Sequence, residues 1–338
     1  MAGLKRVEPM ARFRALVADG NEDAPAVRID ELTLSDLPAG DVTISVSYSS
    51  VNYKDGLAVS PKSRVVRRYP MVLGIDLAGV VLHSTDRRLH AGDEVLVTGY
   101  GLGVSHFGGF SQVARVPAEW VVPLPKGLTL REAMAFGTAG FTAALSIDRM
   151  EQNGLGTDEG PVLVTGATGG VGSLAVAILS RLGYEVTASS RKKGEAEYLR
   201  HLGAAVTVTP DSFMNGENRP LQREMWSGVV DPVGGESLAF ILPAVKYGGS
   251  VALSGLAGGW RFATTVHPFI LRGVNLLGID SVQCPMDTRR RIWDRLATDM
   301  KPIGKFDLAT VAATLDDVPG MLSKILKSEV RGRVVVSL

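Results

Sequence analysis

The sequence predicts an α/β protein with two domains, an irregular β domain followed by a doubly wound parallel sheet. Short strand-like segments separated by Pro and Gly continue to about residue 136, whereas strand-like and helix-like segments alternate after it. Between residues 161 and 182, an apolar strand leads into a glycine cluster and then into an apolar helix. The length of 338 residues is long for one domain and suits two.

The first domain is predicted over residues 11–136. Residues 42–48 alternate between apolar and polar, and residues 92–97 form another short strand that begins at a turn. Such strands are typical of a mostly antiparallel sheet. The preceding segment, MAGLKRVEPM, contains charges but no apolar stretch, so we interpret it as a loose tail or an alternative start rather than a secretory signal.

The second domain is predicted over residues 137–281, where strands and helices alternate as they do in a parallel sheet covered by helices. The predicted strands are 161–165, 184–189, 205–209, 227–231, 249–254 and 274–280, and the predicted helices include 173–182, 194–202 and 236–246. Residues 282–338 form a C-terminal segment that returns to the first domain. It contains an amphipathic helix at 287–299, and its valines at 334–336 could pair with the first domain.

The glycine cluster has the context of a dinucleotide-binding loop. Small residues allow the backbone to approach a pyrophosphate, and the start of the next helix supplies unpaired N–H groups. In register with G-x-G-x-x-G, the loop consists of Ala167, Thr168, Gly169, Gly170, Val171 and Gly172. Ala therefore replaces the first glycine, and Gly166 lies one position earlier. The flanking strand and helix favour this interpretation over a tight turn without a ligand.

The end of the next strand indicates which dinucleotide is bound. NAD-binding units carry Asp or Glu about 20 residues after the loop, where the carboxylate binds the ribose hydroxyls. The corresponding residues of this chain are Ser189, Ser190, Arg191, Lys192 and Lys193. A hydroxyl and three cations suit a 2′-phosphate, so NADPH is the predicted cofactor. The alternative is a solvated basic loop, which charge runs commonly are.

Composition narrows the class of protein. The formal net charge of +1 provides no attraction to nucleic acid or to an anionic membrane. With 45% hydrophobic and 21% charged residues, the chain can form a large core. No apolar run approaches the ~20 residues of a membrane span. The single cysteine, Cys284, excludes an internal disulfide, which fits a cytoplasmic protein.

Several segments, in the right order, carry a resemblance more specific than the glycine loop alone. They are residues 50–57, 70–76, 137–143, 165–172, 247–249, 255–259 and 268–274. In these segments the chain resembles the zinc-free, quinone-oxidoreductase-like branch of the medium-chain dehydrogenase/reductase superfamily, and within it the bacterial acrylyl-CoA reductase subfamily. The resemblance implies a GroES-like catalytic domain, a Rossmann domain, a cleft between them and NADPH. It also implies a homodimer paired through the edge of the Rossmann sheet.

A metal site is not expected. Zinc enzymes of this superfamily use Cys and His ligands and a loop of four cysteines, which a chain with one cysteine cannot supply. Where they carry Gly-His-Glu, this chain has Gly74, Ile75 and Asp76. The chain also has no two histidines at the spacing of a pair of metal ligands. Its five histidines are His83, His90, His106, His201 and His267.

Without a Lewis acid, reduction of an already polarised double bond is easier than oxidation of an alcohol. Together with the resemblance to acrylyl-CoA reductases, this implies reduction of acrylyl-CoA or a similar short 2-enoyl-CoA as the predicted reaction. Hydride goes to the β-carbon, charge spreads onto the carbonyl oxygen, and a proton is added at the α-carbon. An NADPH:quinone or enone oxidoreductase is the alternative. A third possibility is a non-enzymatic NADPH-binding protein. The intact cofactor loop and the Asn-Tyr segment argue against it.

The resemblance also implies site residues. Asn52 and Tyr53 are expected to face the nicotinamide, where Tyr53 could position the cofactor or donate a proton and Asn52 could hold cofactor or substrate. For Asp55 the implied role is only to hold the loop in place. Further positions expected near the nicotinamide are Gly140, Thr142, Leu256, Ile270 and Ser281, whereas Glu329 replaces an Asn of the relatives. A basic cluster that could bind coenzyme A phosphates, or be a solvated loop, comprises Lys62, Arg64, Arg67 and Arg68.

Overall fold

A computed structural model describes residues 12–21, 23–61, 63–215 and 219–338. The predicted start of the first domain, Ala11, lies outside the described residues. The chain forms two compact units. The first ends at Thr138 and resumes over Val311–Leu338, and the second covers Ala139–Thr310.

Strands and helices follow one another along the whole described chain. The strands are β1 (Phe13–Asn21), β2 (Ala24–Leu32), β3 (Val42–Val51), β4 (Met71–Val72), β5 (Asp76–Ser84), β6 (Glu94–Thr98), β7 (Val113–Val116), β8 (Val122–Pro123), β9 (Val162–Val164), β10 (Val186–Ser189), β11 (Val206–Val208), β12 (Trp226–Asp231), β13 (Val245–Leu253), β14 (Asn275–Gly278), β15 (Thr310–Thr314) and β16 (Arg333–Ser337). The helices are α1 (Tyr53–Ala58), α2 (Leu130–Gln152), α3 (Gly170–Arg181), α4 (Ala196–Leu202), α5 (Asp211–Met214), α6 (Glu236–Ile241), α7 (His267–Arg272), α8 (Met286–Ala297), α9 (Phe306–Ala309) and α10 (Val318–Leu326).

The first unit is built on antiparallel sheets, as predicted. One sheet has the order β15-β16-β3-β5-β6-β8, with β7 also paired to β3, and a smaller sheet has the order β2-β1-β4. Alternate residues of β3, such as Val42, Ile44 and Val46, are buried, because side chains on a strand point to opposite faces in turn. The C-terminal strand lies in this sheet, since β16 pairs with β3 and brings Val334 opposite Val51.

The second unit contains the predicted parallel sheet. Its strand order is β11-β10-β9-β12-β13-β14. Every residue of β9 and β12 is buried, which explains why β9 is apolar throughout. The chain leaves β9 toward β10 and later returns to β12 on the other side of β9. The carboxyl end of β9 therefore lies at the point where the strand order reverses, which is where such sheets bind ligands.

Two predicted helices of the second unit differ most in their bounds. Helix α3 begins at Gly170 rather than at residue 173, because Gly169 is extended and the glycines after it already form the first helical turn. The predicted helix over 236–246 ends at Ile241, and a short turn of 3-10 helix over residues 242–244 leads into β13 at Val245. Pro243 lies in that turn, and a proline has no N–H to continue an α-helix.

The second unit extends to Thr310, beyond the predicted boundary at residue 281. Helix α8 causes this difference. Its Trp293 ring lies 6.0 Å from that of Phe141, and its Arg295 pairs with Asp148 at 3.1 Å. The amphipathic pattern of this helix predicted a buried face but could not indicate which domain the face would pack against. Among the described residues, no helix is both long and apolar enough to cross a membrane.

Candidate active site

The predicted dinucleotide loop connects β9 to α3. Gly166 has a φ of +53°, a left-handed conformation that glycine adopts without strain. A Cβ on Gly172 would overlap with the carbonyl oxygen of Gly166, so the helix can approach the loop closely only with glycine here. Because Gly169 precedes the helix in an extended conformation, Gly170 and Val171 lie in its first turn, where N–H groups lack helical partners. The loop thus has the geometry that binds phosphate groups.

The basic segment after β10 lies beside this loop. The hydroxyls of Thr168 and Ser190 are 3.2 Å apart, and the backbone N–H of Lys192 donates to the Ser190 hydroxyl at 3.1 Å. Ser190 is buried, whereas Arg191 is exposed. The structure therefore brings Thr168, Ser190 and Lys192 together. Arg191 is free to reach an anion next to them.

Asp231, at the end of β12, was not singled out from the sequence. Its buried carboxylate accepts hydrogen bonds from the Thr165 hydroxyl at 2.5 Å and from the N–H groups of Val233 and Gly234 at 3.0 and 3.1 Å. Burial raises the pKa of Asp231 above its ordinary value. The residue ties the ends of β9 and β12 together. An acidic residue directly after an apolar strand, followed by Pro and glycines, was the available signal.

Five further positions expected from the resemblance lie in the second unit, and one of them, Gly140, is buried within α2. Leu256 and Ile270 are 57% and 71% exposed, which is unusual for large apolar side chains. The carbonyl of Ser281 accepts a hydrogen bond from the buried Arg289 at 2.9 Å. Thr142 is buried within α2. The contacts of these residues with a nicotinamide stay predictions.

In the first unit, Asn52 is held in a buried polar network. Its amide nitrogen donates to Asp76 at 2.7 Å and to the Ser50 carbonyl at 3.1 Å. Its amide oxygen accepts from Arg333 at 3.0 Å. Both amide protons are therefore engaged inside the protein. This arrangement favours a positioning role for Asn52. The predicted contact of Asn52 with cofactor or substrate would be a second role.

Asp76 is the centre of this network, and Arg333 is its counter-ion. The two charged groups are 0% and 2% exposed and approach to 3.6 Å. Asp76 also accepts hydrogen bonds from the Ser50 hydroxyl at 2.7 Å and from the N–H and hydroxyl of Thr138 at 2.9 and 2.5 Å. Burial lowers the pKa of Arg333, and the negative charges of Asp76 and Asp55 oppose that change. Sequence reasoning missed Arg333 and Thr138 altogether.

A glycine fits against the network and interrupts α2. Gly137 has a φ of +51° and is not helical. A Cβ there would lie 2.5 Å from polar side-chain atoms of Arg333, Asp76 and Ser50. The network thus occupies the space that any larger residue would need. The interruption also places the N–H of Thr138 within reach of Asp76.

Tyr53 and Asp55 lie on α1, directly after Asn52. Tyr53 begins the helix and is 40% exposed. Asp55 is buried, and its carboxylate accepts from the N–H groups of Asn52 at 2.8 Å and Ile75 at 3.0 Å. It therefore fixes the loop, as expected. Burial, assisted by the negative charge of Asp76, raises the pKa of Asp55 to about 7.

This raised pKa predicts that stability falls as the pH rises. Between about pH 4 and pH 7 the folded chain retains a proton on Asp55 that the unfolded chain releases. The stabilisation is complete below 3.8, the ordinary pKa of an aspartate, and is lost as the pH passes through about 7. Such a shift corresponds to roughly 4 kcal/mol. Urea unfolding at about pH 5 and about pH 8 measures the part of this stabilisation that is lost above pH 5, roughly 3 kcal/mol, and Asp55→Asn should show a weaker pH dependence. Equal pH dependence in both proteins would contradict the prediction.

The first unit does not offer a zinc ligand set. No group of three or more His, Cys, Asp or Glu side chains in the described part of the chain is placed to share a metal ion. Asp76 is already bonded to Arg333, Thr138 and Ser50. The side chain of its neighbour Ile75 has no atom that can coordinate a metal. These residues therefore do not fit a bound zinc ion.

Two family models match the chain, an alcohol dehydrogenase GroES-like domain over residues 38–126 and a zinc-binding dehydrogenase domain over residues 170–298. The chain is 52% identical over 328 residues to the acrylyl-CoA reductase AcuI of Ruegeria pomeroyi, covering 96% of this chain and 99% of that protein. It is 51% identical over 326 residues to Bacillus subtilis YhfP, provisionally named a quinone oxidoreductase, with the same coverage.

Solved structures of related proteins have the same fold as this chain. The Bacillus subtilis protein with NAD bound has a TM-score of 0.95 at 50% identity, covering 97% of this chain and 99% of that one. The Salmonella enterica oxidoreductase yhdH in complex with NADP has a TM-score of 0.93 at 46% identity, covering 96% and 99%. A GroES-like domain joined to a parallel sheet with a dinucleotide loop defines a nucleotide-dependent oxidoreductase. The chain belongs to the medium-chain dehydrogenase/reductase family, and the predicted fold class, a GroES-like β domain plus a Rossmann domain, is confirmed.

Proposed function

We propose that the protein uses NADPH to reduce the activated C=C bond of acrylyl-CoA or a similar short 2-enoyl-CoA. The observation that carries the proposal is the 52% identity to an acrylyl-CoA reductase along 99% of that enzyme. The first unit supports it, because its buried network holds the Asn52–Tyr53 turn without metal ligands. A reaction on an already polarised bond suits such a site.

The second unit has residues suited to NADPH. The N–H groups at Gly170 and Val171 would bind the pyrophosphate, with Thr168 and Gly169 in the same loop beside them. Ser190 with Arg191 and Lys192 would bind the 2′-phosphate. NADPH supplies a hydride when bound. The relative from Salmonella enterica was solved with NADP and the one from Bacillus subtilis with NAD, so the basic segment of this chain is the feature that selects between them.

The remaining predicted residues are proposed, each within its own unit, to face the nicotinamide. Tyr53 positions the cofactor or substrate with its exposed ring, and Asn52 holds the turn that presents it. The other residues proposed to line the nicotinamide are Thr142, Leu256, Ile270 and Ser281. Proton addition at the α-carbon then relies on solvent or on the Tyr53 hydroxyl.

Replacing Tyr53 by phenylalanine separates these two roles. Loss of a general acid lowers kcat by about 10²–10⁴. We expect a smaller loss, because the exposed ring is retained and solvent can supply the proton. The measurement is kcat with saturating acrylyl-CoA, alongside NADPH affinity from cofactor fluorescence. A thousandfold slower kcat with unchanged affinity would instead make Tyr53 the catalytic acid.

Activity is expected to be independent of zinc. The described residues offer no ligand set, and one cysteine cannot complete the sites of the zinc enzymes. Dialysis against a chelator should leave turnover unchanged, and elemental analysis should find no stoichiometric zinc. One zinc ion per chain whose removal abolishes turnover would refute the metal-free mechanism.

The protein is also proposed to be a cytoplasmic homodimer. Strand β14 is an edge of the parallel sheet, and Leu276 on this strand is 36% exposed. Nearby elements expose Tyr247 and Leu271 at 79% and 56%. Exposed edge strands and apolar side chains are features of self-association surfaces. Sedimentation of the wild-type protein and of Leu271→Arg tests this, because only the wild type should sediment as a dimer.

A substrate comparison tests the main proposal. NADPH oxidation is followed with acrylyl-CoA and, separately, with benzoquinone. A kcat/KM for acrylyl-CoA well above that for the quinone supports enoyl-CoA reduction. The reverse order would assign the alternative function, an NADPH:quinone or enone oxidoreductase, which the provisional name of the Bacillus subtilis relative favours.

A further inference from the structure

The loop between α1 and β4 carries exposed arginines that the chemistry above does not use. Arg64, Arg67 and Arg68 are exposed, whereas Lys62, predicted to belong to the same cluster, lies outside the described residues. Within the part of the chain that the structure describes, Arg67 and Arg68 form no ion pair. They are adjacent in sequence, so their charges add to one local positive potential.

This arrangement contrasts with other exposed arginines of the same unit. Arg14 pairs with Asp316 at 2.5 Å, and Arg88 pairs with Asp86 at 2.7 Å. Arg28 pairs with both Asp19 and Asp30. Neighbouring carboxylates neutralise those arginines. Arg67 and Arg68, by contrast, keep their charge available for an anionic ligand.

The loop is anchored rather than loosely attached. Val66 is 1% exposed and belongs to the hydrophobic core, against which Val65 and Tyr69 also pack. The Ser63 hydroxyl donates to the Leu57 carbonyl at 2.5 Å, at the end of α1. A fixed backbone reduces the entropy lost when the arginines bind a ligand.

The anchored loop continues from the helix that begins with Tyr53. A CoA thioester is a long ligand, with its acyl group at one end and its diphosphate and 3′-phosphate at the other. We infer that Arg67 and Arg68 bind the phosphates of the CoA moiety while the acyl group lies near Tyr53. Guanidinium groups suit this role because they bind phosphate oxygens in pairs. The inference rests on the proposed enoyl-CoA reduction and adds the residues that recognise the carrier.

The test compares two substrates with the same reacting group. Acrylyl-CoA carries the phosphates, whereas acrylyl-pantetheine has the same thioester without them. In the variant Arg67→Ala/Arg68→Ala, the KM for acrylyl-CoA should rise about tenfold or more, with kcat nearly unchanged. The KM for acrylyl-pantetheine should not change. Arg28→Ala, which removes an exposed arginine that is already paired, is the matched control and should affect neither substrate.

Each other outcome has a definite meaning. An unchanged KM for acrylyl-CoA in the double variant, or an equal rise for both thioesters, overturns the phosphate site. So does weaker NADPH binding with an unchanged KM for acrylyl-CoA, because the arginines would then serve the cofactor. Wild-type protein that reduces acrylyl-pantetheine as efficiently as acrylyl-CoA overturns the phosphate site but leaves thioester reduction intact. Wild-type protein that reduces neither thioester overturns both proposals.

Discussion

Replacing Arg333 by methionine is expected to destabilise the protein by about 3–5 kcal/mol, the cost of leaving a buried partner charge uncompensated. Arg333 is 2% exposed and bonds to Asn52, Ser50 and the Val51 carbonyl. Methionine retains much of the volume but none of these bonds. Urea unfolding of both proteins at neutral pH measures the difference in the free energy of unfolding.

Two controls show whether the loss comes from the buried charge. Arg88→Met removes an exposed ion pair with Asp86 and should cost at most about 1 kcal/mol. Adding Asp76→Asn to Arg333→Met removes the charge left behind, so the double variant should lose less than the sum of the two single changes. Additive losses would show that Arg333 and Asp76 are not energetically coupled. The prediction would be contradicted if Arg333→Met lowered the free energy of unfolding no more than Arg88→Met does.

Replacing Arg191 by alanine is expected to raise the KM for NADPH by about 10- to 150-fold while sparing NADH. A charge-assisted hydrogen bond to the 2′-phosphate is worth about 1.5–3 kcal/mol, and only NADPH carries that group. Arg191 lies exposed beside the Thr168–Ser190 pair, where it can reach such a phosphate. Steady-state kinetics with each cofactor measure the ratio.

Lys193→Ala provides the matched control for this variant. Lys193 is also exposed but lies two residues further along the same loop, so its removal should change the KM for NADPH much less. A wild-type enzyme that uses NADH as well as NADPH would contradict the cofactor assignment. The NAD-bound relative from Bacillus subtilis makes this comparison informative.

Local patterns were sufficient to predict the parallel sheet and its glycine loop. Continuous apolar segments mark strands buried on both faces, and Val162–Val164 is such a strand. The glycines that follow permit a conformation that other residues resist, so the turn can be recognised from sequence. The exact bounds were harder to predict, because Gly170 looked like part of the loop and forms the first turn of α3.

The candidate site of the first unit was predictable only in part. Resemblance singled out Asn52 and Tyr53, and the deficit of cysteine ligands could be counted directly. The role of Asp76 could not be predicted, because its counter-ion arrives from the far end of the chain. Similarly, the amphipathic helix α8 was visible in the sequence, but the unit against which Trp293 packs was not.

The sequence by itself determined the order of strands and helices, the phosphate-binding loop and the absence of enough cysteine for a zinc site. These follow from backbone preferences, apolar periodicity and residue counts, all of which act locally. Only the tertiary structure brought Arg333 to Asn52, across 281 positions of sequence. A buried charge is tolerated only where the fold supplies its partners, and those partners are chosen by long-range packing rather than by neighbours in the chain.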